Sequence, residues 1–274
     1  MALVFALLPI HAQQPRANGD PGEQIPAQSR ATGDLHAQSA AAALAQNFGD
    51  PDISYLLLDQ NGEIIAQRWE WPERDIPVGS LAKPFMAVAY GRTHHGFPKF
   101  HCAGGKTCWL ARGHGTLELR EAIAFSCNSY FHQLVARAGS GFRPAMASFA
   151  LHAGGEQSLT VASPLALLRA YLELTRHARD AAVAPVLMGL ALSAQKGTAK
   201  AVGEELHGMA ALAKTGTAPC THKRKAPGDG FAIVMFPADH PRTVLLVRLH
   251  GRPGYMAAEI AGRMIAKVEA GAAR

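Results

Sequence analysis

Apolar residues recur along this chain at two spacings, and the order in which the spacings change outlines an architecture. Near-continuous apolar runs with β-branched residues predict strands at Ile53–Asp59 and Glu63–Trp69. Gln60-Asn61-Gly62 between them reads as a hairpin turn, because Asn-Gly tolerates the positive φ angles of a tight turn. Three further strands are predicted late in the chain, at Met209–Thr217, Gly230–Phe236 and Arg242–Leu249. Between the two sets the period changes to that of helices. These are expected at Ser80–Thr93, Leu117–Phe125, Ser129–Ala138, Arg143–His152, Ser163–Arg176 and Ala184–Ala194. Ser163-Pro164 is a helix start, with serine as cap and proline where no N–H donor is needed. An alanine-rich helix at His36–Phe48 precedes the first strand, and an amphipathic helix at Tyr255–Ala270 closes the chain. Two strands early, three late and helices between predict an α/β chain of the α+β type. Its antiparallel sheet is flanked by terminal helices and carries an inserted, mostly helical lobe. A cleft between lobe and sheet is the natural place for a site.

Composition narrows this picture. The 274 residues are 48% hydrophobic and 18% charged, which fits a globular chain with a full core. The net charge of +6 comes without a basic run interleaved with aromatics, so nucleic-acid binding is not expected. Residues 1–12 read as a signal peptide, apolar from Ala2 to Pro9 with Ala12 before the cleavage point. Residues 13–35 are rich in Gln, Pro, Gly and Ala and read as a linker. The folded domain is then expected over 36–274. The signal-peptide reading makes an exported, periplasmic or extracytoplasmic protein the expectation, and no other stretch reaches transmembrane length. Oligomeric state leaves no mark on the sequence. Trp69, Trp71 and Trp109 are expected to be packing residues.

Three short stretches carry chemistry. Gly79-Ser80-Leu81-Ala82-Lys83-Pro84 sets a serine and a lysine one helical turn apart. A serine hydroxyl needs a base, and lysine serves only if its pKa is lowered. Val78, Leu81, Phe85 and Met86 offer the apolar surroundings for that. Ser126-Cys127-Asn128 adds a hydroxyl that both donates and accepts, and an amide to hold Lys83. Lys214-Thr215-Gly216-Thr217 adds a charge, two hydroxyls and a glycine where backbone can approach a ligand. Taken singly, the second and third read more simply as a helix cap and a strand end.

Together, in this order and spacing, the motifs resemble those of the penicillin-recognising serine enzymes, the penicillin-binding proteins and serine β-lactamases. The resemblance runs from about Ile53 to the C-terminus and is greatest to the elongation-type class B catalytic domain. Gly113-His114-Gly115, Ser129-Tyr130-Phe131, Ser163-Pro164-Leu165 and Gly197-Thr198-Ala199 extend it. It implies a β-lactamase/transpeptidase-like fold. It implies Ser80 as nucleophile, Lys83 as base, Ser126 as proton relay, with Asn128 and Lys214 completing the catalytic set. Thr215, Gly216 and Thr217 would bind substrate, and the backbone N–H groups of Ser80 and Thr217 would hold the oxyanion. Peptidoglycan stem peptides and β-lactam antibiotics are the implied partners, and D,D-transpeptidase or D,D-carboxypeptidase the implied activity, without a catalytic cofactor. A class D-like β-lactamase and a non-catalytic β-lactam sensor are the alternatives. Class D enzymes normally have an aliphatic residue where this chain has Asn128, which favours a penicillin-binding protein. Elongation-type enzymes usually carry a membrane anchor and a pedestal. The sequence shows neither, so a transpeptidase-like domain standing nearly alone is expected.

Cys102, Cys108, His114 and Cys127 fall close together around a Gly-rich insert, His94–Thr116. Three thiolates and an imidazole suit structural zinc. Some elongation-type relatives hold a metal in this region, with ligands at positions resembling Cys108, His114 and Cys127. The alternative is a Cys102–Cys108 disulfide, which export permits, with Cys127 buried and Cys220 unrelated.

Overall fold

The computed structural model describes residues 38–154, 159–223 and 228–272. The expected signal peptide and linker lie outside them. Helix α1 (38–47) is followed by strands β1 (Ile53–Asp59) and β2 (Ile64–Arg68). The short β3 (Ile76–Pro77) leads into a 3₁₀ turn, Gly79–Ala82, and α2 (Lys83–His94). Next come β4 (Phe100–Cys102), β5 (Gly115–Leu117), α3 (Leu119–Ala124), α4 (Asn128–Arg137) and α5 (Phe142–Ala147). Strands β6 (His152–Gly154) and β7 (Leu159–Ala162) precede α6 (Pro164–Arg176), α7 (Ala184–Lys196) and α8 (Lys200–Glu205). The chain ends with β8 (Leu212–Ala218), β9 (Asp229–Phe236), β10 (Thr243–His250) and α9 (Gly254–Ala272).

The central sheet is five-stranded in the order β2-β1-β10-β9-β8, antiparallel throughout, as the strand order along the sequence predicts. Burial on both faces of β1, β9 and β10 explains why these strands read as near-continuous apolar runs. Leu56, Leu58, Ile233 and Leu246 join a core that reaches into the helical lobe. Tyr55, Leu57, Val234 and Leu245 point the other way, against Leu44, Met264 and Ile265 of the terminal helices. Alternation along each strand sorts side chains to the two faces.

Helix α6 links the lobe to the sheet. The Ser163 hydroxyl accepts the Ala166 N–H at 3.2 Å, with Pro164 at the first helical position. Its inner face buries Leu168, Tyr171 and Leu172. The wholly buried Tyr171 donates its hydroxyl to the Leu81 carbonyl at 2.7 Å, inside the Ser80 turn. Its ring packs edge-on to Phe85, centroids 4.9 Å apart. Tyr171 thereby anchors the turn from below.

Some expectations shift. Ser80 sits in the 3₁₀ turn and Lys83 opens α2, so the helix begins three residues later than predicted. The insert after α2 is not all loop: β4 and β5 pair across it, Cys102 opposite Gly115. The expected helix to His152 ends at Ala147, and His152 enters a small sheet of β3, β7 and β6. Trp69 is buried, whereas Trp71 and Trp109 are 60% and 56% exposed, so these two are not packing residues.

Candidate active site

A cleft of about 590 Å³ lies between the lobe and the edge strand β8. Ser80, Ser126, Asn128, Thr215, Gly216 and Thr217 all line it. Residues from three distant stretches of sequence thus share one cavity. Gly79 makes the approach possible. Its φ is +52°, and a Cβ there would lie 2.4 Å from the Thr217 carbonyl oxygen. Only glycine lets the Ser80 turn lie against β8 this closely. Gly216 has the matching role on the strand, with the side chain of Leu81 3.0 Å from where its Cβ would be.

Two lysines are buried behind the cleft and meet at Ser126. Lys83 Nζ donates to the Ser126 carbonyl at 2.7 Å, to Asn128 Oδ1 at 2.6 Å and to Ser126 Oγ at 3.3 Å. Lys214 Nζ donates to Ser126 Oγ at 2.9 Å and to the Thr215 carbonyl at 2.7 Å. Burial brings Lys83 down to about 8, against the pull of the Cys127 and Cys108 sulfurs. The ring of Phe131 lies 5.6 Å from the ammonium, an aromatic face that the sequence pattern does not single out. Lys214 is wholly buried and is pushed well down, by burial first and by the charge of Lys83 second. The expectation had Lys214 charged and Lys83 neutral. In the structure burial falls hardest on Lys214, because strand β8 leaves it no exposure at all.

Ser126 adopts φ +51°, a left-handed conformation that costs a non-glycine residue about 1–3 kcal/mol. The kink ends α3 and starts α4. Cys127, not Ser126 or Asn128, is the helix cap, its sulfur accepting the Tyr130 N–H at 3.4 Å. The helix-cap explanation of Ser126 and Asn128 therefore falls, and both face the cleft.

Thr215 donates to Thr198 Oγ1 at 2.6 Å, and Thr198 in turn donates to the Ala124 carbonyl at 3.4 Å. The Thr215 hydroxyl hydrogen is thus engaged. Thr217 is exposed and its hydroxyl accepts the Gly254 N–H at 3.3 Å, which leaves its own hydrogen free to donate. Thr198 is absent from the motif-based residue set, as are Trp109 and Tyr255, which also line the cleft. An aromatic in the Gly-rich insert is the available signal for Trp109, whereas Tyr255 reads only as the first residue of the closing helix.

Behind Ser126, the sulfurs of Cys102, Cys108 and Cys127 and a ring nitrogen of His114 all lie within 4.8 Å of one another. His114 Nδ1 is 3.6 Å from Cys102 Sγ and 3.4 Å from Cys108 Sγ, and the Cys108 and Cys127 sulfurs are 3.9 Å apart. A tetrahedral zinc with ordinary bond lengths separates its sulfurs by about 3.8 Å and sulfur from nitrogen by about 3.5 Å. The residues fit that ion. All four cysteines are unpaired, so the Cys102–Cys108 disulfide is not formed. Burial opposes ionisation of Cys102, but hydrogen bonds centred on His114 outweigh it and bring the thiol to about 6. Cys127 is pushed up to about 12 by burial. The insert also presents Trp109 to the cleft. Its indole N–H donates to the Phe125 carbonyl at 3.1 Å, and its ring stands edge-on to His114.

No protein-family model matches the chain, and no curated protein matches it by sequence. Solved structures do resemble it. Pseudomonas aeruginosa PBP2, in complex with WCK 5153, superposes with a TM-score of 0.69 at 15% identity, over 85% of this chain and 73% of that one. The transpeptidase domain of the FtsI4 D,D-transpeptidase from Legionella pneumophila gives 0.62 at 19% identity, over 88% and 95%. The TP domain of penicillin-binding protein 3 from Burkholderia pseudomallei gives 0.63 at 16% identity, over 92% and 96%. At these identities the likeness is one of fold.

Proposed function

We propose that this chain, which has the fold of penicillin-binding transpeptidase domains, is a serine acyltransferase acting on peptidoglycan stems that end in D-Ala-D-Ala. One observation carries the proposal: Ser80, Ser126 and Thr217 line one cleft, with two buried lysines converging on Ser126 Oγ behind it. Deprotonated Lys83 takes the Ser80 proton as Ser80 Oγ attacks the penultimate D-alanine carbonyl. The backbone N–H groups of Ser80 and Thr217 receive the oxyanion. Lys83 returns the proton through Ser126 to the departing amine of the terminal D-alanine, leaving the acyl group on Ser80. An acceptor amine then gives a cross-link, and water gives a trimmed stem. Thr217 donates to the terminal carboxylate, whose negative charge favours the protonated form of Lys214 against the effect of burial.

The β-lactamase alternative loses ground on the same geometry. Asn128 Oδ1 sits 2.6 Å from Lys83 Nζ, the place where a class D-like enzyme carries its carbamyl group. None of the residues lining the cleft is acidic, so none of them activates water for fast deacylation. Among the described residues no helix is long and apolar enough to cross a membrane. The proposed substrate places the protein in an extracytoplasmic, periplasmic compartment. Cys102, Cys108, His114 and Cys127 would hold a structural zinc that ties the insert to the back of the Ser126 kink. Elemental analysis of wild type and Cys127→Ser tests that part.

Incubation with a stem pentapeptide tests the activity. D-alanine release that is abolished by Ser80→Ala is the expected result and separates an enzyme from a sensor. Rapid nitrocefin turnover without D-alanine release would overturn the proposal in favour of a β-lactamase.

A further inference from the structure

A second cluster of metal-ligand side chains lies just past the C-terminal end of β8, beyond Thr217, and no step of the acyl transfer uses it. Asp229 opens β9 and His250 closes β10, and the register pairs them directly. Paired residues on neighbouring antiparallel strands share a face, so the two side chains are held together by the sheet itself. On its other side Asp229 pairs with Ala218, the last residue of β8. The loop leaving β8 then brings Cys220 and His222 over the same spot.

The four ligand atoms lie within 4.8 Å of one another. His222 Nδ1 is 3.2 Å from Cys220 Sγ and 3.2 Å from Asp229 Oδ2. His250 Nδ1 is 3.7 Å from Cys220 Sγ and 2.9 Å from Asp229 Oδ1. A tetrahedral zinc with ordinary bond lengths sets sulfur and nitrogen about 3.5 Å apart, and nitrogen and oxygen about 3.3 Å apart. The two sulfur–nitrogen edges fall within about 0.3 Å of the first value, and the imidazoles approach Asp229 on its two oxygens, one of which supplies the fourth ligand atom within 4.8 Å of the others. Hydrogen bonds to Asp229 alone account for two of the four contacts. They do not account for a thiol turned toward both imidazoles. Cys220 Sγ accepts the Lys223 backbone N–H at 3.4 Å, a contact that a metal-bound thiolate keeps, and as a thiol it donates to the Lys223 carbonyl at 3.7 Å, a contact that metal binding would give up. Asp229 is 2% exposed, so its charge needs partners there.

We propose that Cys220, His222, Asp229 and His250 form a structural zinc site, distinct from the cluster at Cys102, Cys108, His114 and Cys127. One thiolate and one carboxylate cancel the charge of a divalent ion, and two neutral imidazoles complete four ligands. Two imidazoles and a thiolate alone would suit copper, but a close carboxylate as fourth ligand makes the closed set that zinc prefers. The ion would clip the loop after β8 to the end of β10. From there the chain turns through Pro253 and Gly254, which line the catalytic cleft. Gly254 N–H is the group that Thr217 Oγ1 accepts. The clip therefore fixes both partners of a contact at the mouth of the cleft.

The test is zinc content after incubation with excess zinc and removal of unbound ion, on the full chain as wild type, Cys220→Ser, His222→Ala and Cys127→Ser. Cys220→Ser and His222→Ala should each hold about one zinc per chain less than wild type. His222 is exposed on the loop, so a thermal melt of metal-free His222→Ala matching that of metal-free wild type separates loss of a ligand from a misfolded Cys220 variant. A cobalt(II) titration adds a spectroscopic readout: the sulfur-to-cobalt band should lose one thiolate's share in Cys220→Ser, and that share should be lost again when Cys220→Ser is added to Cys127→Ser. Equal zinc content in wild type, Cys220→Ser and His222→Ala would overturn the site. So would a cobalt band unchanged by Cys220→Ser.

Discussion

If Lys83 is the base, the rate of acylation must follow its deprotonation. Burial holds Lys83 at about 8 rather than at the ordinary 10.5 of a lysine. A protonated lysine cannot accept the Ser80 proton, so the rate rises as pH rises through about 8. About 1% of Lys83 is neutral near pH 6 and about half near pH 8, so the acylation rate constant should climb roughly 50-fold across that interval. The assay is the second-order rate of labelling by a fluorescent penicillin at subsaturating concentration. Between about 8 and 10.5 the unfolded chain binds a proton that the folded chain has lost, so stability also rises with pH in that window. The buried charge costs roughly 3 kcal/mol below it, which Lys83→Met should partly recover as a higher melting temperature. A labelling rate that is flat or falling between about pH 6 and 8 would refute Lys83 as base.

Three substitutions test the supporting geometry. Ser126→Gly and Ser126→Ala both lose the relay hydroxyl, but only glycine relieves the φ of +51°, so the glycine variant should unfold at about 1 kcal/mol higher free energy than the alanine variant. Tyr171→Phe strands the Leu81 carbonyl, and should cost about 1–3 kcal/mol in denaturant melts together with slower acylation. Gly79→Ala would drive a Cβ to 2.4 Å from the Thr217 oxygen, and should slow labelling by at least about tenfold while the distant sheet core survives thermal scanning.

Much of this site is legible along the chain, and what is not has physical causes. Helix α6 runs over Pro164–Arg176 as its cap and proline predict. The late strands are clear because both faces of each are buried. The Ser80 turn is misread as helix because a three-residue spacing suits a 3₁₀ turn and an α-helix alike. Helix α8 is missed: at Lys200–Glu205 it is too short to show a period, and Gly203 weakens it further. The left-handed Ser126 leaves no local signal, because a serine there is unfavourable and is imposed by the lysines and helices around it. The Cys102 cluster can be seen in sequence because its ligands lie close together. The Cys220 cluster cannot, because Asp229 and His250 meet only through the register of β9 with β10.

The central claim is that Ser80 is the nucleophile of an acyl-transfer cleft. Intact-mass spectrometry after incubation with benzylpenicillin, followed over time, tests it most directly. An adduct of the full β-lactam mass, mapped to the peptide carrying Ser80 and absent in Ser80→Ala, is expected. With no acidic residue lining the cleft, the adduct should persist for minutes or longer. An adduct that survives in Ser80→Ala, or no adduct on folded wild-type protein, would rule out Ser80 as the nucleophile.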